Sequence, residues 1–511
     1  MTDSWDYVVV GAGSAGCALA HRLSEDGEAS VLLLEAGQPD EAEAIHVPPR
    51  FPELYHGEHD WAYQTMSQPE LHDRRLYHPR GKTLGGSSSL NGMIYIRGHP
   101  DDYDRWAEQG NDGWSYDALL PYFKRAESFA PGDGEYHGEG GPLNVADHQD
   151  PHPASEAIVN AMVEAGIEHN PDFNGPRQEG CGFYHLTQRD GKRCSAAAAY
   201  IKPALDRPNL TVETEAQVTE VLFDGDRAAG VEYLQDGNSH TAGAKREVVV
   251  SAGAFNSPQL LMLSGIGPAE HLREHGVDVQ VDLPGVGSNL QDHLKLGVVF
   301  ERTGGPAAPS PSSNVVETGC FVRTSEDEPQ PDLQFHNAPV YLLEHGIEQP
   351  PDPDAMYLTL IATQIRPGSI GEVRLASTDP TDDPVIDPDY LAAEGDIDPL
   401  VEGVHLAREI ADADALAEFC GEEVHPGPDA TTADDIEAFV REHATTVYHP
   451  AGTCKMGDDD MAVVDDELSV HGVEGLRVAD ASIMPQIVAG NTNAPTIAIA
   501  EKAADLIREA A

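Results

Sequence analysis

The block YHPAGTCKMG, residues 448–457, gathers a histidine, a cysteine, a lysine and a methionine in one short stretch. Three chemistries compete for it: metal binding, thiol catalysis and proton transfer. His443, His449 and Cys454 do not follow a familiar zinc spacing, so no metal site is expected. Thiol catalysis needs a base beside Cys454, and the spacing supplies none, so Cys454 and Met456 read as packing residues. His449 is the stronger candidate, because an imidazole titrating near about 6.5 can take a proton from a substrate at neutral pH. Further on, GNTNAP at 490–495 carries Asn491 and Asn493. An asparagine amide can donate to a developing oxyanion but does not act as a base. What His449 would serve depends on what the opening of the chain binds.

That opening, DYVVVGAGSAGCALAHRLSEDGEASVLLLEAG at 6–37, has the order strand, glycine turn, helix, strand, acid. Tyr7 to Val10 read as a buried parallel strand, a helix is expected from about Ser14 to Ser24, and Val31 to Leu34 read as the second strand. Gly11 permits the tight turn, Gly13 lets a pyrophosphate approach the backbone, and Gly16 brings helix and strand together. Ser14 and Ala15 stand at a helix start whose free N–H groups attract phosphate. Glu35, followed by Ala36, is placed to bind an adenosine ribose through its hydroxyls. The motif alone does not choose between FAD and NAD.

A second glycine element, HPRGKTLGGSSSLNGMIYIRG at 78–98, supplies Gly85 and Gly86 for close backbone contact, with Ser89 and Asn91 as short polar groups. This stretch resembles the first signature of the glucose–methanol–choline (GMC) oxidoreductases, and the choline and alcohol dehydrogenase branch in particular. The likeness continues in VVVSAGAFNSPQLLMLSGIGP at 248–268, GVGSNLQDH at 285–293, YHPAGTCKMG, and LRVADASIMPQIVAGNTNAPTIAIAEKAADLI at 476–507. The resemblance implies an FAD enzyme that oxidises an alcohol to an aldehyde or ketone, losing a proton from oxygen and a hydride from carbon to the flavin. It places Gly85, Gly86, Ser89, Asn91, Gly92 and Met93 along the flavin, Val218 at the adenine, and Asp480 and Ala481 at the phosphate–ribityl region. The turn at Ala252 and Gly253 passes close to the cofactor. The start of the C-terminal helix faces the flavin's pyrimidine edge and favours its reduced form. His449 is the expected base and Asn491 its partner, with Asn493 a competitor for that place and otherwise a contact to FAD. Some members attach FAD through a histidine at the position that is Leu90 here, so non-covalent FAD is expected. Asp292 and His293 are expected to be structural. A quinone or another carrier is the expected electron acceptor. The alternatives are an alcohol oxidase making hydrogen peroxide, or a hydroxynitrile lyase.

The elements that must position these groups suit an α/β protein: a Rossmann-like FAD-binding domain with a second, α+β substrate domain built on a mostly antiparallel sheet. The FAD-binding domain is expected at 1–150, 205–298 and 441–511, the last part including the active-site residues. The substrate domain and its connection are expected at 151–204 and 299–440. The chain has 511 residues, enough for a large core. Its net charge is −57, from 88 acidic and 31 basic residues, which argues against nucleic acid as a partner. Only eight basic residues are lysine and the rest are arginine, a bias typical of salt-accumulating halophiles. In molar salt the Debye length is about 3 Å and self-repulsion is screened. Six cysteines without a close pair fit a reducing compartment. The N-terminus lacks the pattern of a secretory signal, and no run reaches the length of a membrane span, so a cytoplasmic protein is expected.

Overall fold

Runs that are apolar at every position belong to strands covered on both faces. Tyr7–Val10 and Val31–Leu34 are such runs, and both are buried in the computed structural model, which describes residues 4–510. They lie side by side in a seven-stranded sheet of order Leu210–Glu213, Val31–Leu34, Ser4–Val10, Asn238–Val250, Arg227–Gln235, Gln217–Asp224. The first four strands are parallel, and Leu476–Val478 also runs parallel to Val248–Val250. The last two form an antiparallel hairpin around the turn at Gly225 and Asp226. Three helices start at the carboxyl edge of this sheet or beside it: Ser14–Leu23, Gly253–Leu263 and Asn493–Glu509. The opening and C-terminal helices pack against each other, which brings residues far apart in sequence to one rim.

The helix at Gly253–Leu263 starts earlier than its proline suggests. Pro258 fits an early helical position by sequence, yet it stands inside the helix. A proline there deprives the carbonyl four residues back of its N–H. That carbonyl, of Ala254, instead accepts the Thr453 hydroxyl at 2.6 Å. The block containing His449 is thereby fastened to the helix that begins beside the cofactor turn. At the other end, the C-terminal helix begins at Asn493 itself.

The second seven-stranded sheet has the order Cys420–His425, Leu294–Arg302, Tyr357–Gln364, Leu333–Ala338, Thr318–Val322, Gly180–Phe183, with every neighbour antiparallel. Alternation sorts its faces. Leu294, Leu296 and Val298, Leu333 and Phe335, and Leu358, Leu360 and Ala362 share one core with residues of the helices Pro153–Glu164 and Asp398–Ala411. The residues between them, including Lys295, Gln334, His336, Ile361 and Thr363, therefore face the other way, towards the first sheet's rim. This is the architecture expected of a Rossmann-like FAD domain carrying an α+β substrate domain. Among the described residues no helix is long and apolar enough to cross a membrane.

The net charge of −57 predicts a fold that leans on salt. Raising potassium chloride from about 0.1 to about 2 M is expected to lift the thermal midpoint by roughly 10 °C, measured by scanning calorimetry. A midpoint that falls or stays level would remove the halophilic reading.

Candidate active site

One continuous cavity runs from the glycine turn to the free face of the second sheet. Its glycines divide by what a side chain would meet. A Cβ on Gly11, whose φ is +90°, would stand 2.6 Å from the Ser251 carbonyl, and one on Gly16 would strike the Gly11 carbonyl. Both are needed for close packing. A Cβ on Gly13, Gly92 or Gly253 would meet nothing within 4 Å, and all three line the cavity. Those positions are the cradle that a pyrophosphate and a flat ring require, and they fit the group the fold implies.

Gly11, Gly13, Ser14, Ala15, Glu35 and Ala36 lie on the wall, as do Val218, Ala252, Gly253, Asp480 and Ala481. Glu35 accepts the Ala12 and Gly37 N–H groups at 2.9 and 2.8 Å, while burial pushes its pKa up to about 7. Asp480 is buried and accepts from Gly253 N and the Ser257 hydroxyl at 2.8 and 2.6 Å. Gly86, Asn91, Gly92 and Met93 complete this side of the wall. Gly16, Gly85 and Ser89 are not among the residues of the wall. Gly85 turns at φ +93° and donates its N–H to the Ala12 carbonyl at 2.8 Å; the Ser89 hydroxyl donates to the Leu84 carbonyl at 2.8 Å. They brace the loops that make contact, with Ser87 on the wall instead.

His449 is held from three directions. Its backbone N–H donates to Asp292 Oδ1 at 2.7 Å. Its Nδ1 lies 3.1 Å from Nδ1 of His293, with the rings nearly perpendicular at 88°. Its Nε2 meets Asn491 Nδ2 at 3.2 Å. The preceding residue, Tyr448, has a left-handed φ of +73°, a conformation costing about 1–3 kcal/mol that turns the chain and aims the imidazole at the cavity.

The proton positions follow from groups that can only accept or only donate. The Phe335 carbonyl accepts the Tyr184 hydroxyl at 2.5 Å, so the Tyr184 oxygen is left to accept from Gln334 Nε2 at 3.1 Å. The same Nε2 donates to Asn491 Oδ1 at 3.2 Å. The Asn491 NH₂ therefore faces His449, whose Nε2 must carry a lone pair. The proton of the neutral ring then sits on Nδ1 and is donated to His293. Burial, with help from His293, holds the His449 pKa well below the usual value, against the opposing pull of Asp292. His449 is thus a neutral imidazole with its basic nitrogen turned to the cavity.

Asn491 and Asn493 separate cleanly. Asn491 meets His449, whereas Asn493 accepts the Ser14 hydroxyl at 2.7 Å and joins the two helix starts, and both line the cavity. Asp292 and His293, expected to be structural, stay off the wall yet orient the base directly. Asp292 also accepts from His78, Thr446 and Tyr390, and these partners keep its carboxyl far below the usual range despite burial. His336 and Lys295, on the cavity face of the second sheet, had no signal beyond strand alternation.

The GMC oxidoreductase family models match residues 5–295 and 367–500. The chain belongs to the GMC oxidoreductase family. It is 46% identical to mitochondrial choline dehydrogenase of Mus musculus, over 99% of this chain and 90% of that one. It is 45% identical to alcohol dehydrogenase [acceptor] of Pseudomonas putida, over 98% and 95%. The crystal structure of pyridoxine 4-oxidase from Mesorbium loti superposes with a TM-score of 0.92 at 35% identity, covering 98% of each chain. This GMC oxidoreductase is an FAD-dependent enzyme that acts on a CH–OH group, and FAD supplies the hydride acceptor.

Two measurements test the geometry. His449→Gln is expected to lower kcat by about 10²–10⁴ while FAD content is retained. Because the base must be neutral and its pKa is depressed, the kcat/KM profile should stay level as pH falls through about 6.5 and decline only below it. An acid limb at or above that value would contradict the buried, neutral imidazole.

Proposed function

We propose that this GMC oxidoreductase oxidises a small alcohol to its carbonyl product with dioxygen as acceptor, releasing hydrogen peroxide. His449 takes the hydroxyl proton at Nε2, and the Asn491 amide donates to the oxygen as negative charge develops there. The observation that carries this reading is the pair itself: a lone-pair nitrogen and an amide donor 3.2 Å apart on the cavity wall. His293 and Asp292 act through His449, the first on its ring and the second on its backbone.

Gly13, Ser14 and Ala15 receive the pyrophosphate at the opening helix start, Glu35 and Ala36 the ribose, and Val218 the adenine. Gly86, Asn91, Gly92, Met93, Ala252, Gly253, Asp480, Ala481 and Asn493 receive the rest of FAD. The cofactor is held without a covalent bond, since the wall residue at 90 is leucine. Six unpaired cysteines suit a reducing cytoplasm.

Oxygen as acceptor is supported by the near-complete overlap with pyridoxine 4-oxidase. A second reading, transfer to a quinone or another carrier, draws on the likeness to the Pseudomonas putida alcohol dehydrogenase [acceptor]. An oxygen electrode decides between them. Oxygen uptake matched one-to-one by peroxide is expected with a reactive alcohol. Flavin bleaching by alcohol under nitrogen, without oxygen turnover in air, gives the carrier reading instead. No bleaching by any alcohol would remove both and leave a lyase. Acid precipitation is expected to leave all flavin in the supernatant, and a yellow pellet would refute the non-covalent assignment.

A further inference from the structure

Lysine is scarce in this chain, with eight residues in all, yet Lys295 is only 4% exposed and lines the cavity. It follows His293 by two positions on the Leu294–Arg302 strand. Leu294 and Leu296 turn into the helix-covered core, so Lys295 must project towards the site. Its ammonium stands 5.2 Å from the centre of the Tyr448 ring, next to His449 in the chain.

Among the described residues no carboxylate pairs directly with this cation, although the charges of Glu348 and Glu344 favour its protonated form against burial. Glu344 pairs with Arg74 and His443, and Glu348 accepts the N–H groups of His345 and Gly346. Among the described residues none makes an ion pair with Lys295. The carboxylates on the cavity wall, Glu35 and Asp480, are tied to loops of the first sheet. Burial lowers the Lys295 pKa to about 8, so the group is still largely charged at neutral pH. Its charge adds to burial in keeping His336 neutral. Arg80 is a second cation on the wall, but its guanidinium donates to the Pro79 and Tyr448 carbonyls, so Lys295 is the one left without an acceptor among the described residues.

A quaternary ammonium substrate needs aromatic faces and a carboxylate. The aromatic faces are present at Tyr55 and Tyr448, but the charge beside them has the opposite sign. In molar salt the field of the acidic surface is screened beyond about 3 Å, so the local cation decides. We propose that Lys295 determines specificity by receiving the carboxylate of a hydroxy acid whose alcohol end is presented to His449. A single ammonium matches a monoanion. The proposal rests on the alcohol-oxidation reading above.

The test uses holoenzyme in about 2 M potassium chloride, with γ-hydroxybutyrate, n-butanol and choline as probes. Wild type is expected to prefer γ-hydroxybutyrate over n-butanol by on the order of tenfold in kcat/KM, with choline last. Lys295→Met should collapse the γ-hydroxybutyrate to n-butanol ratio, chiefly through KM, with FAD content retained; Lys295→Arg should preserve it. Choline used as well as the hydroxy acid, or an unchanged ratio in Lys295→Met, overturns the proposal. Binding is read separately by titrating butyrate and butylammonium against flavin absorbance. Wild type should take up butyrate and Lys295→Met should not. If no alcohol reduces the flavin but butyrate binding still depends on Lys295, the alcohol reading fails and the anion site stands. If alcohols are oxidised without charge preference and butyrate binding ignores Lys295, the reverse holds.

Discussion

The site depends on one buried carboxylate. Asp292 accepts from four groups that come from different parts of the chain: the His449 N–H, the Thr446 and Tyr390 hydroxyls and the His78 ring. An isolated buried carboxylate would be costly, and these donors make its ionised state the stable one. Because the charge is fixed, its partners are fixed as well. The strained turn at Tyr448 persists since Asp292 grips the next N–H and the Tyr448 N–H donates to the Thr446 hydroxyl at 2.7 Å. Removing the carboxylate would release the turn, the hydroxyls and the imidazole together, which is why such a group acts as a hub and not as one more hydrogen bond.

A second anchor is independent of the first. The chain of donors from the Phe335 carbonyl through Tyr184, Gln334 and Asn491 fixes where the His449 lone pair points, whereas Asp292 fixes where the ring stands. This second anchor itself joins two sides. Gln334 belongs to the second sheet, and Asn491 precedes the helix that packs on the first. A neutral histidine whose Nε2 is the accepting nitrogen is therefore a property of the contact between the two units. Either sheet alone would supply an imidazole without a defined tautomer.

Local features of the fold and site were legible in the sequence. The glycine turn could be read because its jobs are steric and lie within one strand–turn–helix unit: Gly11 and Gly16 pack, and Gly13 stays open. His449 and Asn491 were legible through short blocks that resemble a family's. Groups that act through distant partners were not. Asp292 and His293 are adjacent in sequence, which does not by itself bring two side chains to one target. One grips the backbone of His449 and the other its ring, so a single target accommodates both directions. Gly85 and Ser89 carry structural hydrogen bonds of their own. A glycine- and serine-rich loop suggests contact throughout, yet a loop this tight needs some of its own polar groups to close it.

The charge of the chain makes the remaining point. A surface adapted to salt has little use for lysine, and eight remain in this chain. Two of them are buried. Lys502 lies over Trp114 and donates to the Gly113 carbonyl, so its position is complete within the protein. Lys295 has the ring of Tyr448 beside it and no acceptor among the described residues. Two ammonium groups under similar burial thus differ in one respect: the first has its hydrogen-bond acceptor built in, and the second meets a cavity. A compact cation left incomplete on the same strand that carries His293 has the geometry of a group finished by what enters.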